Sequence, residues 1–249
     1  MITLSRLELL WILEQCGAGD WPYPLAPVAW PADTTDETVL ARARTEDVLR
    51  DRGLLAPDAA ATLLAVGTAV RDARRQVDVV RRSATDPVAA VALDGPGGAA
   101  LLRSADHTGA DVEVAPLGPG ELAAAALAVL PRLPPAPGPP LEVPPEAAAV
   151  ATRRRERDRS AVEAVLRGAV GWTQLGVVVA PDEVTSVGHR ADARIKWLDS
   201  PRGRYRLRHD PERERTAGRP PVLVPDDAAS PGTLAEVEAL LAEPGRRTG

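Results

Sequence analysis

Two stretches of the chain share an order of features that decides the fold: VEVAPLGPGELAAAALAVL at residues 112–130 and VLVPDDAASPGTLAEVEALL at residues 222–241. Each begins with a Val-x-Val strand end, passes through a proline (Pro116 or Pro225) and reaches a Pro-Gly-x-Leu-Ala sequence. Proline is pre-organised for the first turn of a helix, so this sequence predicts a helix start. Because the features keep their order and their place in each half, we predict a two-fold internal repeat.

A proline-rich segment separates the two repeated stretches. It reads PRLPPAPGPPLEVPP at residues 131–145, and eight of its fifteen residues are proline. Such a composition is typical of a stiff, extended spacer. We therefore predict a first half over residues 1–130, a linker over 131–145 and a second half over 146–249, within one integrated domain.

Hydrophobic periodicity predicts helices and strands in both halves. The helices are expected over residues 4–16, 35–50, 57–76, 145–167 and 231–242. The strands are expected over residues 77–81, 87–93, 99–104, 111–115, 170–180, 192–199, 203–208 and 221–224. Strands joined by short turns favour antiparallel pairing, and helices before and after each run favour an α+β fold.

One hairpin is predicted residue by residue. The turn Ser200-Pro201-Arg202-Gly203 matches a type I turn followed by a left-handed bulge residue. This register pairs Asp199 with Tyr205 and Trp197 with Leu207. It places Ile195, Trp197, Tyr205 and Leu207 on one face, and Arg194, Lys196, Arg206 and Arg208 on the other. The second face is either water-facing or a docking surface for an acidic or polar helical tip.

No catalytic, cofactor-binding or metal-binding motif emerges from the sequence, so we predict a binding protein rather than an enzyme. His107, His189 and His209 are far apart and have no ligand spacing. Cys16 follows an apolar helix and is expected to act as a small hydrophobe. The net charge of -5 argues against nucleic acid as the main partner. With no signal-peptide pattern and no long apolar run, we expect a cytoplasmic protein without membrane insertion.

Several segments resemble the EspG family of type VII secretion. The stretch Leu198–Tyr205, LDSPRGRY, is similar to the recurring Leu-Asp-Thr-x-x-Gly-Arg-Tyr/Trp hairpin of that family, with Ser200 where Thr is common. The stretch Gln174–Val179 resembles the strand before it. The opening LSRLELLWILEQCGAGDWPYPL, residues 4–25, is similar to the family's first helix and Pro-rich turn. The similarity is specific around residues 172–207. Elsewhere it depends on the order of the helices and strands and on the pattern of apolar residues.

The resemblance implies a quasi-two-fold antiparallel sheet flanked by helical bundles. It also implies a cytosolic chaperone or adaptor that captures helical secretion substrates of the PE–PPE or WXG type, without a cofactor, as a monomer or weak homodimer. The central sheet and second-half helices are implied as the binding region. Two alternatives stay open: a non-secretory actinobacterial interaction module of the same fold, and a nucleic-acid binder that uses the basic sheet face.

Overall fold

A computed structural model describes residues 1–19, 21–105, 111–143, 153–179, 189–190, 195–208 and 221–242. Its helices are α1 Arg6–Gln15, α2 Thr35–Asp51, α3 Pro57–Arg71, α4 Leu122–Ala128, α5 Arg153–Arg167 and α6 Pro231–Ala242. Its strands are β1 Ile2–Leu4, β2 Arg75–Ser83, β3 Val88–Gly95, β4 Gly98–Ser104, β5 Val112–Pro116, β6 Leu141–Glu142, β7 Gly171–Val179, β8 His189–Arg190, β9 Ile195–Ser200, β10 Gly203–Arg208 and β11 Val222–Pro225. The predicted α+β class is confirmed.

Helix α1 begins and ends where short-range chemistry predicts. The Ser5 side chain accepts a hydrogen bond from the backbone N–H of Glu8, and the Glu8 carboxylate accepts one from the backbone N–H of Ser5. This capping box satisfies two donors that a helix start otherwise leaves free. Gly17, with a φ of 70°, follows the last turn and stops the helix. The predicted helix over residues 4–16 is confirmed, but it begins two residues later, at Arg6, because Leu4 belongs to β1.

The strands form one antiparallel sheet in the order β1-β5-β4-β3-β2-β7-β9-β10-β11-β6, and β8 pairs with β7 outside this path. Strands β2 and β7 pair along their whole length, from Arg75 opposite Val179 to Ser83 opposite Gly171. Helix α3 ends at Arg71, five residues before its predicted end, because the chain must turn into β2. The sheet is therefore continuous from the first half to the second.

Counted outward from the β2–β7 pair, the two halves have the same topology. The strand order is β2-β3-β4-β5-β1 on one side and β7-β9-β10-β11-β6 on the other. Arg75 of β2 lies opposite Asp94, and its equivalent Gly171 of β7 lies opposite Asp199. The same offset of 96 residues (171 less 75) relates Val79 to Leu175, which pair directly. The pseudo-two-fold axis thus passes between those two residues, and the predicted quasi-two-fold sheet is confirmed.

A second repeat, not found in the sequence analysis, lies in the two equivalent hairpins. Residues 93–103 read LDGPGGAALLR and residues 198–208 read LDSPRGRYRLR, with six identities in eleven positions. Both hairpins have two-residue loops, closed by Gly95 opposite Gly98 and by Ser200 opposite Gly203. Gly98 and Gly203 have φ values of 112° and 131°, which only glycine adopts without strain. The shared turn chemistry therefore reflects a shared backbone.

The sheet is packed on both sides. We call face A the side that carries Asp78 and Val80 of β2, and face B the side that carries Val77 and Val79. On face A, α1 and α3 cover the first half of the sheet. On face B, α4 and α6 cover the centre of the sheet. Helix α5 and the proline-rich segment pack on the outer second half of face A, against Tyr205.

The proline-rich segment adds backbone contacts to the sheet as well as connecting the halves. Arg204 donates its backbone N–H to the carbonyl of Pro134 at 2.9 Å and accepts a bond from the N–H of Ala136 at 3.0 Å. Ala136 is buried against Tyr205. A Cβ atom on Gly203 would lie 2.7 Å from the Pro134 carbonyl oxygen, so only glycine permits this approach. The domain boundaries at residues 130 and 145 stay a prediction.

Candidate docking surface

The β9–β10 hairpin carries the four basic residues that the sequence places on one face, and its register differs from the prediction. The observed pairs are Asp199 with Arg204, Leu198 with Tyr205, Trp197 with Arg206 and Lys196 with Leu207. The predicted pairs, Asp199 with Tyr205 and Trp197 with Leu207, are wrong by one residue. A slip of one residue moves a side chain to the other face. Trp197 therefore shares face B with Arg206, and Lys196 shares face A with Leu207.

The register differs because the loop contains two residues and no bulge. The Ser200 hydroxyl donates to the carbonyl of Gly203 at 2.8 Å and accepts from the backbone N–H of Arg202 at 3.2 Å, which closes the turn. The predicted register assumed that apolar residues share one covered face and charged residues share the open one. Here both faces are partly covered, so alternation of apolar and charged residues does not determine the register.

A buried ionic cluster on face B joins the two halves. Asp199 is fully buried, and its carboxylate accepts hydrogen bonds from Arg204 Nε at 2.6 Å and from Arg204 Nη2 at 3.2 Å. Arg81 of β2 also donates to Asp199, and its other Nη donates to Asp86 at 3.0 Å. Gly171 makes room for Arg81, because a Cβ there would lie 2.7 Å from the guanidinium. The cluster fixes the hairpin against the first half.

The four candidate partner-binding residues do not form one basic face. Arg206 is buried on face B, where its guanidinium is hydrogen-bonded to Glu236 of α6. Arg208 is exposed on the same side as Arg206, whereas Lys196 is exposed on face A. Arg194 lies outside the described residues. Their role in partner binding stays a prediction, and the nucleic-acid alternative loses the single basic face on which it depended.

Face A has a partly open area on β2, β7 and β9. We call it the open strip and define it by Arg82, Trp172, Gln174 and Lys196. Arg82 lies opposite Trp172, and Gln174 lies opposite Lys196. The Arg82 guanidinium is 5.5 Å from the centroid of the Trp172 ring, which is a cation–π contact. The strip therefore presents an aromatic ring at 37% exposure between two exposed cations.

Two exposed apolar side chains lie at the end of α5 and just before β7, the strand that carries Trp172. Leu166 in the last turn of that helix is 55% exposed, and Val170 just before β7 is 50% exposed. Exposed apolar side chains that form a contiguous patch are typical of a surface that another molecule covers, so these residues are candidates for such a patch. The sequence analysis missed Trp172 and Arg82. Alignment of the two hairpins could have pointed to Lys196, because this lysine stands at the position where the first half has the buried Val91.

The described residues offer little for catalysis. Within those ranges no group of three or more His, Cys, Asp or Glu side chains is placed to hold a metal ion. Cys16 is buried, and burial raises the pKa of its thiol, against a smaller opposing effect of the Arg71 guanidinium. A protonated, buried thiol is a poor nucleophile. In the same ranges, none of the helices has the length and apolar character needed to cross a bilayer.

The fold defines the class of this protein: an α+β protein in which two related halves share one antiparallel sheet. The chain belongs to the EspG family, whose family model matches residues 5–224.

Among solved structures, it is similar to the Mycobacterium tuberculosis type VII secretion system chaperone EspG5, which was solved in complex with a PE25–PPE41 dimer. The TM-score is 0.60 at 12% sequence identity, over 99% of this chain and 97% of that chain. At this identity, the likeness concerns the fold. A search of curated proteins finds no match to the sequence.

Proposed function

We propose that this protein is a cytosolic chaperone or adaptor of type VII secretion that captures a helical substrate of the PE–PPE type before export. The observation that carries the proposal is the family match over residues 5–224 together with the shared fold of EspG5, a chaperone solved in complex with a PE–PPE dimer. The free thiol of Cys16 is compatible with a reducing compartment. The proposed activity is binding, with no chemical step and no cofactor.

The partly open sheet surface supports the proposal. A carrier must release its client at the secretion machinery, so a modest interface is expected, at or below about 1,600 Å² in total. The open strip offers an aromatic anchor and exposed cations on one side of the molecule. A tryptophan at the centre of such a patch is the kind of residue that contributes most of the binding energy in protein interfaces.

The test is co-expression of the tagged protein with each PE–PPE-type and each WXG-type pair encoded in its own genome. We expect one PE–PPE-type pair to co-purify in near-stoichiometric amount and to elute with the protein as one species in size-exclusion chromatography. An equal yield with a WXG-type pair would change the client class. If every pair elutes separately while the protein itself is folded, the chaperone proposal is refuted and the non-secretory interaction module becomes the better hypothesis.

A further inference from the structure

The proline-rich segment is a sequence feature to which the proposed function gives no role. It begins with PRLPPAP, residues 131–137. Proline fixes φ at about −65°, and a residue that precedes proline is held in the extended or polyproline II region. Six of these seven residues are prolines or directly precede one, and residues 131–136 contain neither helix nor turn. They therefore form a short polyproline II helix, which we call the proline helix. The chain turns away from it at Gly138, where φ is 105°.

The proline helix is held by one of its faces and exposes the other two. A polyproline II helix has three residues per turn, so side chains three positions apart share a face. The three faces carry Leu133 and Ala136, Arg132 and Pro135, and Pro131, Pro134 and Pro137. The first face lies against the protein, where Ala136 is 4% exposed and packs on Tyr205. On the other two faces, Pro131 is half-buried and the remaining side chains are exposed.

The folded protein fixes the backbone of the proline helix before any partner arrives. The carbonyl of Pro134 accepts a hydrogen bond from the backbone N–H of Arg204 at 2.9 Å, and the N–H of Ala136 donates to the carbonyl of Arg204 at 3.0 Å. Pro135 forms an isolated parallel β-bridge with the same residue. A free linker would lose conformational freedom on binding, and that loss reduces affinity. The exposed faces are thus presented in a pre-organised form.

The two exposed faces match the chemistry of one class of partner. Prolines at positions i and i+3 of a polyproline II helix dock into grooves lined with aromatic side chains. The sequence supplies this spacing twice, from Pro131 to Pro134 and from Pro134 to Pro137. At about 3.1 Å per residue, the seven residues span roughly 20 Å. Arg132 is exposed beside these prolines, and a guanidinium pairs with a carboxylate through two hydrogen bonds. A matching groove is therefore aromatic, with an acidic residue at its rim.

We propose that the proline helix is the docking site for a second protein partner, one with an aromatic-lined groove and an acidic rim that recognises polyproline II helices. The partner contacts the faces that carry Pro134, Pro137 and Arg132, while Ala136 stays anchored on the sheet. This site adds an interaction to the one proposed for the helical client, and it does not depend on that client.

The first step of the test identifies the partner by position. A photo-crosslinking amino acid replaces Arg132 in the full-length protein, which is expressed in its native host, and mass spectrometry identifies the protein that becomes attached. The same amino acid at Leu64, an exposed position on α3, is the control. We expect a protein that is cross-linked from position 132 and not from position 64.

The second step measures the affinity of that purified protein by calorimetry. Pro134→Ala/Pro137→Ala should weaken binding at least about tenfold, because it removes two proline rings from the exposed face. Arg132→Glu should also weaken binding, and more so at low salt. Pro139→Ala/Pro140→Ala is the matched control, since these prolines are also exposed but lie beyond the turn. This control should bind as the wild type does.

Each result either supports the proposal or overturns it. A captured protein supports it when the Pro134/Pro137 variant binds more weakly and the matched control does not. Equal affinity of the wild type and the Pro134/Pro137 variant overturns the proposal, and so does the absence of a cross-link specific to position 132. A specific cross-link to the helical client, or to a second copy of this chain, would also overturn it. Thermal melting of each variant checks that it is folded. Co-purification of the client tests the proposed function separately.

Discussion

The buried ionic cluster on face B gives the sharpest prediction about stability. The perturbation is Asp199→Asn, which keeps the size and shape of the side chain and removes its charge. Asp199 is fully buried and accepts hydrogen bonds from Arg204 and Arg81, which are 1% and 3% exposed. The substitution leaves two buried guanidinium groups without their shared carboxylate. Arg81 keeps Asp86, but Arg204 has no other ionic partner among the described residues.

The magnitude follows from the burial of the cluster. Removing one partner of a buried ion pair costs about 3–5 kcal/mol, because the remaining charge stays out of water. That is a large part of the roughly 5–15 kcal/mol that holds a typical domain together. For a chain of this length, about 1 kcal/mol corresponds to roughly 2–4 °C in Tm. We therefore expect Asp199→Asn to lower Tm by roughly 6–20 °C.

The pseudo-two-fold repeat supplies the matched control. Asp94 occupies the position equivalent to Asp199, but its partner Arg75 is 46% exposed, so Asp94→Asn should cost only about 0–1 kcal/mol. Urea unfolding, followed by circular dichroism and tryptophan fluorescence, measures both free energies of unfolding. Equal losses in the two variants, or a loss below about 1 kcal/mol for Asp199→Asn, would refute the argument that burial sets the cost.

Three further predictions concern packing and pH. Trp197→Ala should lower the free energy of unfolding by about 3–5 kcal/mol, because the ring is 1% exposed and its loss leaves a cavity. An unchanged urea midpoint would contradict this, since it would mean that neighbouring side chains fill the cavity at no cost. Gly67→Ala places a Cβ 2.4 Å from Cys16 Sγ and should cost about 1–3 kcal/mol. Adding Cys16→Ala should recover most of the lost free energy of unfolding, because it removes the sulfur atom that the new Cβ meets. If the double variant is no more stable than Gly67→Ala alone, another contact is responsible. A hydrogen bond from Ser83 and the charge of Arg81 lower the pKa of Asp86 below its usual 3.8, so the ionised carboxylate stabilises the fold above that pH. This stabilisation should be lost as the pH drops from 3.8 through the lowered pKa of Asp86. The Asp86→Asn variant should therefore show a weaker dependence of stability on pH in this range. An unchanged dependence in the variant would contradict the role given to Asp86.

Most of the fold could be predicted from the sequence because its signals are local. The last helix, Pro231–Ala242, matches its predicted bounds, and a serine cap explains why: Ser230 Oγ accepts a bond from the backbone N–H of Thr233 at 3.2 Å. The strand 203–208 also matches its predicted bounds. The EspG family resemblance, read mainly from residues 172–207, is confirmed by the family match. Turn and cap residues act over a few positions, so they can be recognised without the rest of the structure.

The open strip was harder to predict because it depends on which strands become neighbours. Arg82 and Trp172 are 90 positions apart in the chain, and they meet only because β2 pairs with β7. The basic face failed as a prediction for the same reason. Alternation of charged and apolar residues suggested that Arg206 faces water, but α6 supplies Glu236 and buries it. Distant elements decided the environment of each of these side chains.

The sequence by itself indicated where most of the helices and hairpins lie, one internal repeat and the family of this protein, because each depends on neighbouring residues or on order along the chain. Only the tertiary structure decided the register of the β9–β10 hairpin, where Asp199 is buried between Arg204 and Arg81 from the other half. It also decided that face A is left partly open over β7 and β9. The cost of burying a charge is set by every group that surrounds it, and those groups come together only when the chain is folded.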